Sequence, residues 1–504
     1  MKKTKRFLFV LGIIFLSIIF VLNFFKFFAL KYTVENIQDN TCMLKIEVKD
    51  FDWNPFVNNL TVRIPNKIGK NKIVYFGIIG GEETVTKVVI GKNVEWASNW
   101  QLEHLKKLRS IKISMFNKNI TSVNGAIYTR DKTTLVYWPN NKSVLSLKNR
   151  NNLKIIGPYA FSSNENITKI KLPKKIEKIY DCAFGKCENL KVVDLSNCNF
   201  LYSIDNEAFF NCLNLEEIKF PNNCLINVIN KGTFFNCENL KSIKIPKNVK
   251  IIENSAFYNC KSLETIEFEE GSIMEKIEDY AFKGCAFKSI SLPNSIISLG
   301  ECAFSDNHHL EKIDLSDHLA DIGKGCFMNC VALKTIKIPE LIKIIKEDTF
   351  KNCSSLIDIK FPAGLKQIEA YAFSECTSLK TIELSNNIRI IGYGCFKGCT
   401  NLENVVLSKS LSVMWGEAFS ECTSLKEIVL PETLKSISDK IFKNCNNLVK
   451  ITFGKHIGNV LYYAFDGCNS LTKIVYLGTK EDWDKIVIYD GNTLFEKCEV
   501  EYIN

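Results

Sequence analysis

The sequence predicts a β-rich repeat solenoid, and three observations carry that prediction. A motif A-F-x-x-C-x-x-L-x-x-I-x-L recurs about every 23 residues, as in the stretch from Ala372 to Leu384. Its anchor phenylalanine returns fourteen times, at Phe161, Phe184, Phe209, Phe234, Phe257, Phe282, Phe304, Phe327, Phe350, Phe373, Phe396, Phe419, Phe442 and Phe465, and every interval from Phe304 onward is 23. Twelve of the 20 cysteines fall at one place in the motif, three residues after the anchor. A fixed period of this length marks units that bury their apolar faces only against their neighbours, so most of the 504 residues form one elongated array rather than several domains.

At the N-terminus, basic Lys2, Lys3, Lys5 and Arg6 precede an apolar run from Phe7 to Phe25 that continues past Lys26 to Leu30. That length spans a bilayer and exceeds the apolar core of a cleavable signal; bulky Phe27 stands two residues before Ala29, the one small residue near the exit. Residues 1–30 therefore read as an uncleaved signal-anchor, an N-terminal transmembrane helix with its basic end inside and the array outside the cell. Secretion after cleavage is the alternative. Residues 31–83 alternate in a strand-like way, as in Met43-Leu44-Lys45-Ile46-Glu47-Val48, and read as an N-terminal cap over the first coil.

The array is expected over residues 84–476. Val85 to Ile90 and Leu108 to Ile113 carry the strand pattern without the A-F-x-x-C turn. A β-hairpin insertion is expected at about 122–139, where two β-rich runs flank Arg130-Asp131-Lys132-Thr133. In the regular copies, L-x-x-I-x-L forms a short parallel strand with Leu and Ile inward. A-F-x-x-C turns the corner, and the phenylalanines stack into an aromatic spine. A segment such as Leu365 to Ile368 makes a second short side. Fourteen coils at about 4.8 Å each give a length on the order of 65 Å. Three intervals stretch to 25, before Phe209, Phe234 and Phe282, and the coil after Cys285 is shortened to Ala286-Phe287 before its strand. Residues 477–504 read as a C-terminal cap, a short helix and a final strand, with Trp483 as a lid over the last coil.

The cysteines at the repeated place are Cys187, Cys212, Cys237, Cys260, Cys285, Cys330, Cys353, Cys376, Cys399, Cys422, Cys445 and Cys468; Asn164 and Asn307 replace them in two copies. Small residues suit a tight inner turn, so these form a structural ladder of buried thiols rather than a disulfide framework or a redox centre. Cys198 and Cys224 lie off this register on successive coils, either as a local disulfide or as independent thiols. Cys326 with Cys330, and Cys395 with Cys399, are one residue off zinc spacing, and their first members replace the alanine before the anchor. His308, His309 and His318 share one coil, but adjacent histidines in an exposed turn are a poor ligand set. No metal, cofactor-binding or catalytic residue is expected: phosphate-loop, nucleophile-elbow, zinc-protease and dinucleotide motifs are absent.

Net charge is +10, but six cations precede the first acid, Glu35, which leaves +4 over residues 32–504 and no footprint for nucleic acid. On the strand face, the residues flanking the inward Ile run from basic (Lys169, Lys171, Lys219, Lys244) through mixed (Glu267, Asp314, Lys337, Lys360, Glu383) to apolar. Val406, Val429, Thr452 and Val475 are thereby marked as a partner-binding strip.

The motif closely resembles that of the BspA-like (treponemal-type) leucine-rich repeat surface proteins. The segment from Leu60 to Ile90, the insertion from Asn124 to Pro139 and the ending Gly478 to Trp483 are similar to flanks such proteins carry. The resemblance covers nearly all of residues 60–504. It implies a non-catalytic, cell-surface leucine-rich repeat protein that mediates adhesion by binding a protein or cell-surface ligand. A passive spacer, or an intracellular scaffold of the same fold, is the alternative. A single-pass cell-membrane location and a monomeric chain are expected.

Overall fold

The structure, a computed structural model, describes residues 30–38, 41–48, 59–95, 102–142, 147 and 150–503. It divides into two compact units, residues 1–225 and 226–504. The expected anchor at 1–30 lies outside the described residues except for Leu30, which opens a strand. Among the described residues no helix is long and apolar enough to cross a membrane.

In the first unit, β1 (Leu30–Gln38) pairs antiparallel with β2 (Thr41–Val48), and β2 runs parallel to β5 (Asn71–Ile79), which also folds against β4 (Lys67–Ile68). A second parallel ladder joins β3 (Leu60–Ile64), β6 (Val85–Ile90) and β7 (Ser110–Ile113). Coil-like parallel pairing thus begins at Thr41, inside the segment expected as a cap, because alternating Leu44, Ile46, Val62 and Ile64 point into one shared core.

The insertion is larger than the expected hairpin. β8 (Ile120–Val123), β9 (Ala126–Thr129) and β10 (Thr134–Tyr137) form an antiparallel meander. Its first turn is Asn124-Gly125 with φ of 49° and 81°, the two-residue geometry that matches strand twist. β10 then starts the second-side parallel ladder through Ile155–Ile156, Lys178–Ile179 and Ser203–Ile204.

Each regular coil has two short strands and a corner. In the second unit the strand side includes Thr335–Lys337 paired with Asp358–Lys360, and Thr381–Glu383 paired with Asn404–Val406. The second side includes Gln367–Ile368, Ile390–Ile391 and Val413–Met414. The corner's backbone alternates. Around Phe373, Tyr371 and Glu375 are left-handed, with φ of 54° and 62°. The amides of Tyr371, Phe373 and Glu375 donate to the next coil, to the carbonyls of Tyr393, Cys395 and Lys397 at 2.7–2.8 Å. The intervening amides of Ser374 and Cys376 donate within the corner, to Tyr371 and Phe373. A left-handed non-glycine residue costs about 1–2 kcal/mol, which the added inter-coil bond offsets.

The anchor phenylalanines stack. Successive rings from Phe234 to Phe282 and on to Phe465 lie 5.1–5.9 Å apart and within 23° of parallel, and Trp138 heads a second run over Phe161, Phe184 and Phe209. At the C-terminus, Thr479 caps the helical turn Lys480–Trp483. Trp483 rests against Phe453, Tyr476 and Phe495. Val487–Ile488 and Glu499–Tyr502 extend both parallel ladders by one more coil.

Candidate functional site

In three-residue strands such as Thr335–Lys337, Asp358–Lys360 and Thr381–Glu383 the central residue is buried and its neighbours face out, and in Asn404–Val406 the central Val405 is half-buried, so a column of side chains accumulates along the strand face. Between Lys312 and Lys409 this face forms two adjoining troughs. One, of about 450 Å³, is lined by Lys312, Asp314, Asp317, Lys337 and Lys360; the other, of about 870 Å³, by Lys360, Glu383, Asn404, Val406 and Lys409. They share Asp358 and Lys360. Lys337 and Lys360 are register partners with like charge. Asp317 moderates that repulsion, pairing with Lys337 at 3.2 Å, while Lys312 pairs with Asp314 at 3.0 Å. Such exposed pairs add little stability and leave the groups available to a partner.

Val406 lines the larger trough and is 58% exposed; Val429, on the strand Glu427–Val429, is 60% exposed. Thr452 and Val475, marked with them as binding residues, are buried at 8% and 5% exposure. The apolar strip therefore ends at Val429. Thr452 and Val475 lie in the four-residue strands Lys450–Phe453 and Lys473–Tyr476, and Glu499–Tyr502 pairs beside the latter with Glu501 as the register partner of Val475. Asp317, which shapes the smaller trough, lies beyond its strand and carries no repeat signal.

The cysteines of the ladder, Cys330, Cys353, Cys376, Cys399, Cys422, Cys445 and Cys468 among them, are buried thiols. Each of these seven donates its S–H to the carbonyl of the anchor Phe one coil earlier, as Cys376 Sγ to Phe350 at 3.2 Å and Cys468 Sγ to Phe442 at 3.0 Å. That carbonyl also accepts a backbone amide, so both its lone pairs are used. Asn307 takes the same role, donating Nδ2 to Phe282 at 2.9 Å. The exchange of Cys and Asn follows: both are small donors. Burial pushes the Cys376 and Cys187 thiols up to about 12, far from a reactive thiolate.

No disulfide joins Cys198 to Cys224; both are buried, and Cys198 donates to the Pro173 carbonyl at 3.4 Å. Cys326 and Cys395 are buried beside Cys330 and Cys399 with pKa values raised by desolvation. His308 and His318 engage the backbone carbonyls of Asn329 and Asn294 rather than one another. Among the described residues no group of three metal-ligating side chains occurs.

The family model of the BspA type leucine-rich repeat region matches residues 137–264, 227–357 and 343–472. A leucine-rich repeat protein from Bacteroides ovatus superposes with a TM-score of 0.55 at 29% identity, over 80% of this chain and 94% of that one. Weaker likenesses include a Treponema pallidum leucine-rich repeat protein (TM-score 0.31, 26% identity, 39% of this chain and 82% of that one). A leucine-rich cell surface protein of Faecalibacterium prausnitzii gives a TM-score of 0.39 at 20% identity over 90% and 96% of the two chains. No curated protein matches the chain.

Proposed function

Because the chain belongs to the BspA-type leucine-rich repeat proteins, we propose that it is a non-catalytic binding protein displayed at the cell surface, which takes a protein partner onto its strand face. The carrying observation is the larger trough, where exposed Val406 adjoins a rim of lysines and acids and Val429 follows on the array. Apolar side chains inside a polar rim are how protein partners are commonly received. A partner desolvates the valines, and the charged rim orients it.

The double variant Val406→Asp/Val429→Asp should weaken binding to cells or to immobilised extracellular-matrix proteins by about 100-fold, at an unchanged melting temperature. Both side chains are exposed, so the fold should tolerate the change. Binding equal to that of the parent chain would refute the site. For the location, treating intact cells with protease should remove the full-length band. Protection that disappears on lysis would instead favour an intracellular scaffold.

A further inference from the structure

The coil that breaks the period carries a cleft of its own. From Phe282 to Phe304 the interval is 22, and Phe287 fills the place of the inward Leu, buried and edge-on to Phe282 at 5.6 Å. The missing residue leaves a notch in the turn between Lys261 on one side and His308-His309 on the other. In the same coil Gly284 stands at the left-handed position two after the anchor, where the adjacent coils carry Asn259 and Asp306.

Where asparagines and Asp306 follow one another at these positions, they hydrogen bond along the column. Asn259 Nδ2 donates to Asn236 Oδ1 at 2.6 Å, Asn329 Nδ2 to Asp306 Oδ1 at 2.6 Å, and Asn352 Nδ2 to Asn329 Oδ1 at 3.0 Å. The chain of bonds stops at Gly284. At the other glycines of this column, Gly398 and Gly467, the side chains of Glu375 and Asn444 lean over the space a Cβ would take. At Gly284 nothing comes nearer to that point than 3.7 Å. Together the notch and the gap make a cavity of about 350 Å³, lined by Tyr258, Asn259, Lys261, Lys283, Asp306 and the two histidines.

The lining selects a chemistry. Lys283 pairs with Asp306 at 3.2 Å and Lys261 with Glu238 at 2.7 Å, so the lysines meet charge already balanced. An anion entering the cleft would meet the Asp306 carboxylate, and an apolar ligand would strand every polar group. An ammonium and a carboxylate side by side offer one donor and one acceptor, which a hydroxyl satisfies at once. Tyr258 adds a flat face held rigid by stacking on Phe235, with centroids 4.9 Å apart. We propose that this cleft binds a single neutral sugar ring, its hydroxyls on Lys283, Asp306 and Asn259 and its apolar face toward Tyr258.

The test is saturation-transfer NMR on the full chain, in a sugar-free detergent, with the methyl glycosides of glucose, galactose, mannose and N-acetylglucosamine. At least one glycoside should receive saturation at millimolar concentration. Gly284→Asn should weaken it by at least about ten-fold, because Asn259 and Asn329 show that asparagine fits this backbone and would continue the column across the gap. Asp306→Asn keeps the shape and should weaken binding by about five-fold or more. The proposal is overturned if no glycoside binds, if Gly284→Asn binds as well as the parent, or if inorganic phosphate or glycine displaces the glycoside more strongly than a second sugar does. Should Gly284→Asn lower the melting temperature, Asp306→Asn alone decides.

Discussion

Replacing Phe373 by alanine should lower the unfolding free energy of the second unit by about 3–5 kcal/mol, the range for removing a fully buried aromatic side chain. Phe373 is 0% exposed, stacked between Phe350 and Phe396 at 5.2 and 5.4 Å, and met edge-on by Phe361. The void cannot collapse, because the corner backbone is bonded to the following coil through the amides of Tyr371, Phe373 and Glu375. A leucine at the same place refills much of the space and should cost about half as much. Because coils interact only with their neighbours, the alanine variant should also broaden the denaturant transition as the array separates at the weakened coil. Urea unfolding followed by circular dichroism measures both effects; a loss below about 1 kcal/mol would show that the spine is not a main source of stability.

Alkaline unfolding should be abrupt. The ladder thiols are buried, and desolvation holds Cys187 and Cys376 near 12 and raises Cys212, Cys285, Cys353 and Cys399 well above the ordinary value of 9.0. In the unfolded chain these groups lose protons as pH passes 9, while in the folded chain they keep them. The unfolded state then binds fewer protons, so stability is intact below pH 9 and falls between 9 and 12. Each thiol removes about 1.4 kcal/mol per pH unit once fully titrating, and the ten ladder thiols that burial raises, these six with Cys260, Cys330, Cys422 and Cys445, together remove about 14, as much as the whole stability of a typical domain. Under reducing conditions the fold should therefore be lost within about one to two units above pH 9. Replacing Cys353 and Cys376 by asparagine, as Asn307 already does in its coil, should move that midpoint upward. A chain still folded at about pH 11 would contradict the argument.

The repeat was legible because one anchor, one thiol and one inward Leu–Ile pair per coil are each forced by burial, and a buried position tolerates few alternatives. The strand-face residues were legible by the same alternation, but their exposure was not. Thr452 and Val475 sit where Val406 and Val429 sit in the period, yet they are buried, where Val475 pairs with Thr452 on one side and with Glu501 of the last strand on the other. The first coils look like a cap in the sequence because they lack the A-F-x-x-C corner, although β2 and β5 already pair in parallel. Asn124-Gly125 is a plain turn signal for the extra strand pair. The cleft at Gly284 is readable only after the corner is known, since a glycine there looks interchangeable with Gly398 and Gly467 until the neighbouring side chains are placed.

The hydrogen bonds that tie corner to corner also set how such an array yields to tension. From Phe304 to Phe465 each coil holds the next through the same bonds, so none is a distinct weak link. Peeling one coil from an end releases 23 residues, roughly 75–80 Å of slack, while the coil behind keeps its own contacts. A tether built this way lengthens in small equal steps rather than parting at once.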